Sequence, residues 1–264
     1  MATTEAGLPE RGLEAALAAT EAHVEVAQRE ALMVSRELKT ARSAAAGGQV
    51  RDLRRALAAA VEAAQSLAGA VEEAEASYSF DETDHLASGA YARELLDAAA
   101  AAGLAMVQDD DRLLCYPSLV RLLPGDAALD IDRRRERRLR PSVVVSVLAA
   151  AQARPPKGKS AALLESLAAA YELLAERHDR QDPVLRLDEL WQVLTMLPGA
   201  AREYSKPEFA RDLYLLDQSG VVTTRSGRTL RFHASSGTRG AGVLTTVART
   251  GQQQRYWGVS FSAR

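Results

Sequence analysis

Between Leu13 and Ala41, apolar and small residues recur at steps that alternate between four and three: Leu13, Leu17, Thr20, Val24, Ala27, Ala31, Val34, Leu38 and Ala41. This spacing holds one stripe on one side of a helix and commits the segment to a coiled coil. Ala45-Ala46-Gly47-Gly48 interrupts the stripe, and two adjacent glycines favour a turn over further helix. A second stripe follows at Val50, Leu53, Leu57, Ala60, Ala64, Leu67, Val71 and Ala74. Two such stripes joined by a short glycine turn predict an antiparallel coiled-coil hairpin over residues 1–77. At 1.5 Å per residue its first helix reaches roughly 50 Å. Alanine in the seam lets the helices approach closely but buries less area per layer than Leu or Ile, so the arm reads as an interaction element in need of a partner. Leu13, Leu17, Val24, Leu38, Leu53 and Leu57 are its expected partner-binding residues.

Alanine supplies 51 of the 264 residues and aromatics only 5%, which favours closely packed helices over an all-β fold. The expected fold class is therefore α+β, mostly α. Hydrophobic residues at 47% and charged residues at 26% describe a soluble globular chain rather than a disordered one. The lone Cys115 excludes an internal disulfide and any multi-cysteine metal site. No apolar run reaches the roughly 18 residues of a membrane span. Met1–Gly12 lacks a basic stretch followed by an apolar one, so no signal peptide is expected and the predicted location is the cytoplasm, with no membrane partner.

After the arm, a helix followed by a tight hairpin occurs twice. Ser88-Gly89-Ala90 opens a helix that runs to Gly103, and Leu104–Val107 and Arg112–Tyr116 flank an acidic turn at Asp109-Asp110-Asp111. Near the C-terminus Ser205-Lys206-Pro207-Glu208 is a capping box that starts a second such helix. It leads to a strand at Val221–Thr224, a turn at Arg225-Ser226-Gly227-Arg228 and a strand at Thr229–His233. Ahead of this unit stand a helix over 160–178, a short strand at Val184-Leu185-Arg186 and a helix containing Leu190, Trp191 and Leu194. Helix, short strand, helix, turn, helix, hairpin is the winged-helix order. Residues 78–132 fit the same order with the second arm helix as opener and Tyr78-Ser79-Phe80 as the short strand. A further hairpin, Val243–Ala248 with Arg255–Phe261, is expected to extend the last sheet. The predicted organisation is thus an arm (1–77), a first winged-helix-like unit (78–132), an Arg-rich linker and helix (133–159) and a second unit (160–264).

The net charge of −2 conceals a strong asymmetry. Residues 201–264 hold ten basic and four acidic side chains, a local charge of +6, which leaves −8 on the remainder. A second basic run places Arg133, Arg134, Arg135, Arg137, Arg138 and Arg140 within eight positions. Such segregation suits an anionic partner, either nucleic acid, with duplex DNA the first expectation, or an acidic protein surface. Arg outnumbers Lys by 29 to 4, so genomic bias accounts for part of the arginine content. On a winged-helix frame Lys206 and Arg211 would face the DNA from the helix, and Arg225, Arg228, Arg231 and Arg239 from the wing and its sheet. The contacts would be mainly to the backbone, because Glu208 and Asp212 leave the helix nearly neutral.

Several hydrophobic patterns here resemble the tandem winged-helix "kite" subunits of structural-maintenance-of-chromosomes (SMC) complexes. They are Gly103-Leu-Ala-Met-Val107 with its acidic turn, Arg138-Leu-Arg-Pro-Ser-Val-Val-Val-Ser-Val-Leu148, and Val184–Leu194 before Leu197-Pro198. The helix running into Gly220-Val-Val222 completes the set. The resemblance covers about residues 80–233; the Ala-rich arm and the C-terminal hairpin depart from it. It implies a non-enzymatic subunit that bridges an SMC-type ATPase or a kleisin-like protein, associates as a homodimer or within a complex, and touches DNA. That role would be DNA organisation or plasmid and phage defence at the bacterial nucleoid.

A stand-alone winged-helix transcription regulator is the alternative reading. A remoter one is a nucleotide site: Ala153-Arg-Pro-Pro-Lys-Gly158-Lys159-Ser160 fits a loose phosphate-loop pattern between an apolar run, Val143–Leu148, and a helix. Against it, two prolines remove backbone N–H groups that would cradle phosphate. His85 with Asp81, Glu82 and Asp84, and His178 with Asp179 and Asp182, read as helix-end residues rather than metal ligands. No nucleophile–base pair is visible, so neither cofactor nor enzymatic activity is expected.

Overall fold

Gly47 and Gly48 fold the chain back on itself. In the computed structural model, which describes residues 12–177, 182–233 and 242–263, α1 (Leu13–Ala46) and α2 (Val50–Ser77) form an antiparallel hairpin. Gln49 N–H donates to the Ala44 carbonyl at 2.8 Å and Gly48 N–H to that of Ala45 at 3.2 Å, closing the last turn of α1. The closure needs left-handed backbone at Gly48 (φ +68°), which is why a glycine stands there.

The seam of the hairpin differs from the expected one at every second position. Buried or half-buried side chains recur in α1 at Leu13, Ala16, Thr20, His23, Ala27, Glu30, Val34, Glu37, Ala41 and Ala44. In α2 they recur at Leu53, Ala56, Ala60, Ala63, Leu67, Ala70, Ala74 and Ser77. Val24, Leu38 and Leu57, expected inside, are 42%, 50% and 46% exposed. Close-packed helices admit alanine where they touch and turn larger neighbours outward. At the base, the Ser77 hydroxyl donates to that of Thr20 at 3.2 Å.

The backbone separates into two compact units: residues up to Glu94 together with Leu139–Ser142, and Leu95–Arg138 with the chain from Val143 onward. The first unit adds α3 (Glu82–Ala87) and the start of α4 (Ala90–Ala101) to the hairpin. Gly12 offers α1 no side-chain cap, and the Glu94 carboxylate supplies it, accepting from Leu13 N–H at 2.9 Å and Glu14 N–H at 2.8 Å. A Cβ on Gly12 would lie 2.5 Å from that carboxylate, so a larger residue there would push the Glu94 side chain off the cap. Arg140 binds Glu14 at 2.7 Å and Glu21 at 2.6 Å. Tyr78-Ser79-Phe80 forms no strand, contrary to expectation: it is the irregular link into α3.

In the second unit, β1 (Met106–Asp109) and β2 (Arg112–Cys115) form the expected hairpin around the acidic turn. They do not stop as a two-stranded wing. β3 (Ser118–Leu123), β4 (Ala128–Ile131) and β5 (Arg134–Glu136) continue an antiparallel meander in chain order. Part of the supposed Arg-rich linker is therefore an edge strand, followed by α5 (Pro141–Ala153).

The remaining elements are α6 (Ser160–Ala175), β6 (Leu185–Arg186), α7 (Leu187–Leu194), α8 (Ala200–Glu203), α9 (Lys206–Gln218), β7 (Thr229–His233), β8 (Leu244–Val247), β9 (Gln253–Tyr256) and β10 (Gly258–Ser262). β10 lies between β6 and β7, with Val259 opposite both Leu185 and Phe232. The expected hairpin of 243–248 with 255–261 forms only as far as Tyr256: β8 pairs with β9 as a separate ribbon that does not extend the last sheet, and residues 258–262 join β6 and β7 instead. Val221–Thr224 is not a strand either, and contributes one bridge, Thr223 to Thr229. Leu167, Tyr171, Leu187, Leu190, Phe209, Leu213, Val259 and Phe261 are fully buried in the core beneath this sheet. The Ser205–Glu208 capping box is present. The fold is α+β and mostly helical, with a long N-terminal helical hairpin and antiparallel sheets. No helix among the described residues is long and apolar enough to cross a membrane.

Candidate interaction surfaces

α9 was the element expected to present Lys206 and Arg211 to DNA. Its apolar positions bury it against α6 on one side, and the β8–β9 ribbon packs along another. Phe209, Ala210, Arg211, Asp212, Leu213, Tyr214 and Leu216 are all buried. Arg211 is 4% exposed; it donates to Asp212 at 3.1 Å and to the carbonyls of Arg154 at 3.0 Å and Pro155 at 3.1 Å. A buried charge needs such partners, and every one of them competes with phosphate. Lys206 pairs with Asp188 and lies 4.9 Å over the Trp191 ring. Neither side chain is the free cation that the sequence suggested.

The turn before β7 is tight: Thr224 N–H bonds the Arg228 carbonyl at 2.9 Å, and Gly227 takes φ +83°. It leads into β7 rather than forming a two-stranded wing. Arg228 folds back over Tyr171 and binds Glu172 and Asp182 at 3.2 Å each and the Phe261 carbonyl at 2.9 Å. It pins the turn to the core, and its charge is neutralised. Arg225 and Arg231 are exposed and make no ion pair among the described residues. Arg239 lies outside the described residues.

The Arg133–Arg140 run divides in the same way. Arg135 binds Asp126 at 2.7 Å, Arg138 binds Glu136 at 2.6 Å, and Arg140 holds Glu14 and Glu21. Hydrogen bonds from the Arg138 guanidinium and backbone N–H hold the Glu136 carboxyl at about 2, well below its ordinary 4.5. A group with a depressed folded value stabilises above its unfolded value and loses that contribution as pH falls. The Glu136 carboxyl resonance is thus expected to titrate near 2, and its contribution to fade between about 4.5 and 2. A midpoint near 4.5 would mean that the fork with Arg138 does not persist in solution. Arg133, Arg134 and Arg137 are exposed, with no ion pair among the described residues.

Two recesses in the second unit bring separate parts of the basic sequence together. Arg134, Arg154 and Arg211 line a cleft of ≈ 430 Å³ beside the capping box, and Arg133 and Lys206 line one of ≈ 200 Å³. Arg134 also borders a hollow of ≈ 490 Å³ with Lys157 and Arg202. Arg154, Lys157 and Arg202 were not singled out as binding residues. Arg202, on α8, carries no signal in the sequence, whereas Arg154 and Lys157 lie in the loop read as a phosphate-loop variant. That reading fails on geometry: Val143–Leu148 belongs to helix α5, so no strand precedes the loop, and Asp212 and Arg211 tie the loop to α9. Of the candidate metal residues, Asp81 caps α3 and His85 bonds Glu94 at 2.8 Å; His178 and Asp179 lie outside the described residues. Among the described residues no group of three or more His, Cys, Asp or Glu is placed to hold a metal ion. Cys115 is buried in β2, which pushes its thiol up to about 11. No protein-family model, curated protein or solved structure matches this chain.

Proposed function

We propose that this chain is a non-enzymatic, winged-helix-type subunit that bridges protein partners in an SMC-type DNA-organising or defence complex and touches DNA through its backbone. What supports the reading is the order α6, β6, α7, α9, β7, β10 with the last strand central, as a winged helix would require, with the β8–β9 ribbon standing where a simple wing would be expected. The ribbon and α6 cover the helix that a sequence-reading regulator would lay in the major groove. This favours a docking scaffold over a stand-alone regulator and leaves phosphate contacts to Arg225 and Arg231, with Arg133, Arg134 and Arg137 as a second group. The five-stranded meander is no wing, and the C-terminal elements alone support the winged-helix proposal.

Each phosphate neutralised adds about 0.9 to the slope of log affinity against log salt. Arg225→Ala with Arg231→Ala is expected to reduce that slope by up to about 1.8. Arg228→Ala is expected to leave the slope unchanged and to lower stability by about 1–2 kcal/mol, because its partners are protein groups. A slope unaltered in the double variant removes β7 and its turn from the DNA surface. Cross-linked purification of the full chain from its host is expected to recover a long coiled-coil ATPase, and recovery of DNA alone would support the regulator instead.

A further inference from the structure

The hairpin carries a second apolar stripe beside its seam. If the inward positions are a and d of a heptad, the e positions of α1 are Leu17, Val24, Ala31, Leu38 and Ala45. Those of α2 are Val50, Leu57, Ala64, Val71 and Tyr78 at its C-cap. None of the ten is polar apart from the Tyr78 hydroxyl. In an antiparallel pair the e edges of both helices lie on the same side of the seam, so the two rows share one face. Val24, Leu38, Val50, Leu57 and Val71 are between 42% and 57% exposed there.

We propose that this face docks a second copy of the same chain, tip to base, as a four-helix bundle. The charges beside the stripe select that occupant and its direction. The positions just outside e carry Glu21 and Arg42 on α1, and Glu75 and Arg54 on α2. At 1.5 Å per residue both arginines stand roughly 7.5 Å from the Gly47-Gly48 turn, and both carboxylates roughly 39 Å from it. The stripe is centred on Ala31 and Ala64, roughly 23 Å from the turn. A two-fold axis at that level carries each arginine onto the height of the carboxylate of its own helix in the other copy. Arg54 then meets the second copy's Glu75, and Arg42 stands level with its Glu21, which Arg140 already binds, while Val24 faces Leu38 and Leu57 faces Val71. With tips together α1 would instead face α2, setting Arg42 beside Arg54 and Glu21 beside Glu75, which like charge disfavours.

The wider charge distribution agrees. The basal half of the hairpin, 13–28 with 63–77, holds six glutamates and no Lys or Arg; the distal half holds seven basic residues against four acidic. Arg140 occupies Glu14 and Glu21, so Glu25, Glu72, Glu73 and Glu75 keep the base acidic. Two helices about 42 Å long, side by side, offer about 800 Å² per copy, the size of a standard stable interface. The surface stands on the arm alone and does not depend on whether the chain joins an SMC-type complex or touches DNA.

Sedimentation equilibrium of the full chain tests it. The wild type is expected to dimerise, and Leu57→Asp to weaken the dimer about 100-fold or more, because the new carboxylate would be buried in the interface. The position is exposed in the single chain, so circular dichroism should show undiminished helix. Arg54→Glu should weaken the dimer about three- to tenfold, and Arg54→Glu with Glu75→Arg should restore it. Ala31→Cys, at the two-fold, should cross-link to itself on mild oxidation while buried Cys115 does not react. A helical chain that stays monomeric at every concentration overturns the proposal, as does a dimer indifferent to Leu57→Asp. Strengthening by Arg54→Glu, or Ala31→Cys that cross-links only to an Ala64→Cys chain, overturns the tip-to-base direction.

Discussion

Replacing Arg211 by alanine is expected to destabilise the second unit by about 3–5 kcal/mol, the scale for removing one partner of a buried ion pair. The guanidinium does three things at once: it binds Asp212 within α9 and bonds two carbonyls of the loop that follows α5. Its loss leaves Asp212, itself 4% exposed, with the Tyr204 hydroxyl at 3.1 Å and the Lys157 N–H at 3.3 Å. Two neutral donors do not replace a guanidinium. Urea unfolding should show the full loss in Arg211→Ala and recovery of much of it in a variant that also carries Asp212→Leu, since a buried pair can be exchanged for apolar packing at little cost. Arg211→Ala that unfolds like wild type would show the pair to be water-accessible and would reopen α9 as a binding surface.

The second large effect is expected at β10. Phe261 is fully buried, with its ring 5.1 Å from that of Tyr171, and Phe261→Ala should cost about 3–5 kcal/mol. The same unit contains the five-stranded meander, and Cys115 in β2 reports on it, because a buried thiol held up to about 11 reacts with disulfide reagents only after exposure. If the unit unfolds cooperatively, Phe261→Ala shifts the denaturant midpoint for Cys115 labelling as far as it shifts the midpoint for tyrosine and tryptophan signals. A Cys115 midpoint that stays put would mean that the meander unfolds on its own.

Local signals in the chain were sound where the physics is local. The glycine pair, the Ser205–Glu208 capping box, the acidic β1–β2 turn and the helices at 160–175 and 187–194 all depend on neighbours a few residues away, and all are present. The hairpin seam was misphased because Leu13, Thr20, Ala27, Val34 and Ala41 fit two stripes. Choosing the more apolar alternates selected Leu17, Val24 and Leu38 over Ala16, His23 and Glu37. At Ala16 close contact between backbones rewards a small side chain, which hydropathy does not register, but size does not explain His23 and Glu37. The basic surface was misjudged for a similar reason. Arg211 and Arg228 look solvent-bound in one dimension, and only the folded chain brings carbonyls and carboxylates around them. Arg225 and Arg231 remain exposed as expected. The β6–β10–β7 order was hidden because the partners of β10 are far away in sequence, whereas β9, which leads into it, looked like its continuation.

That strand order has a consequence for how the protein is made. β6 and β7 leave the ribosome before the strand that separates them, and Val259 pairs with Leu185 across about 70 residues of chain. Until β10 is synthesised, both earlier strands present unpaired N–H and carbonyl groups above a half-built core, the kind of edge that recruits foreign strands. Closing so long a loop is slow. Gly258, which enters β10 against the Leu185 carbonyl where a Cβ would approach to 3.0 Å, sits at the point where this closure begins. The nascent chain therefore passes through an interval of exposed strand edges that lasts until β10 arrives.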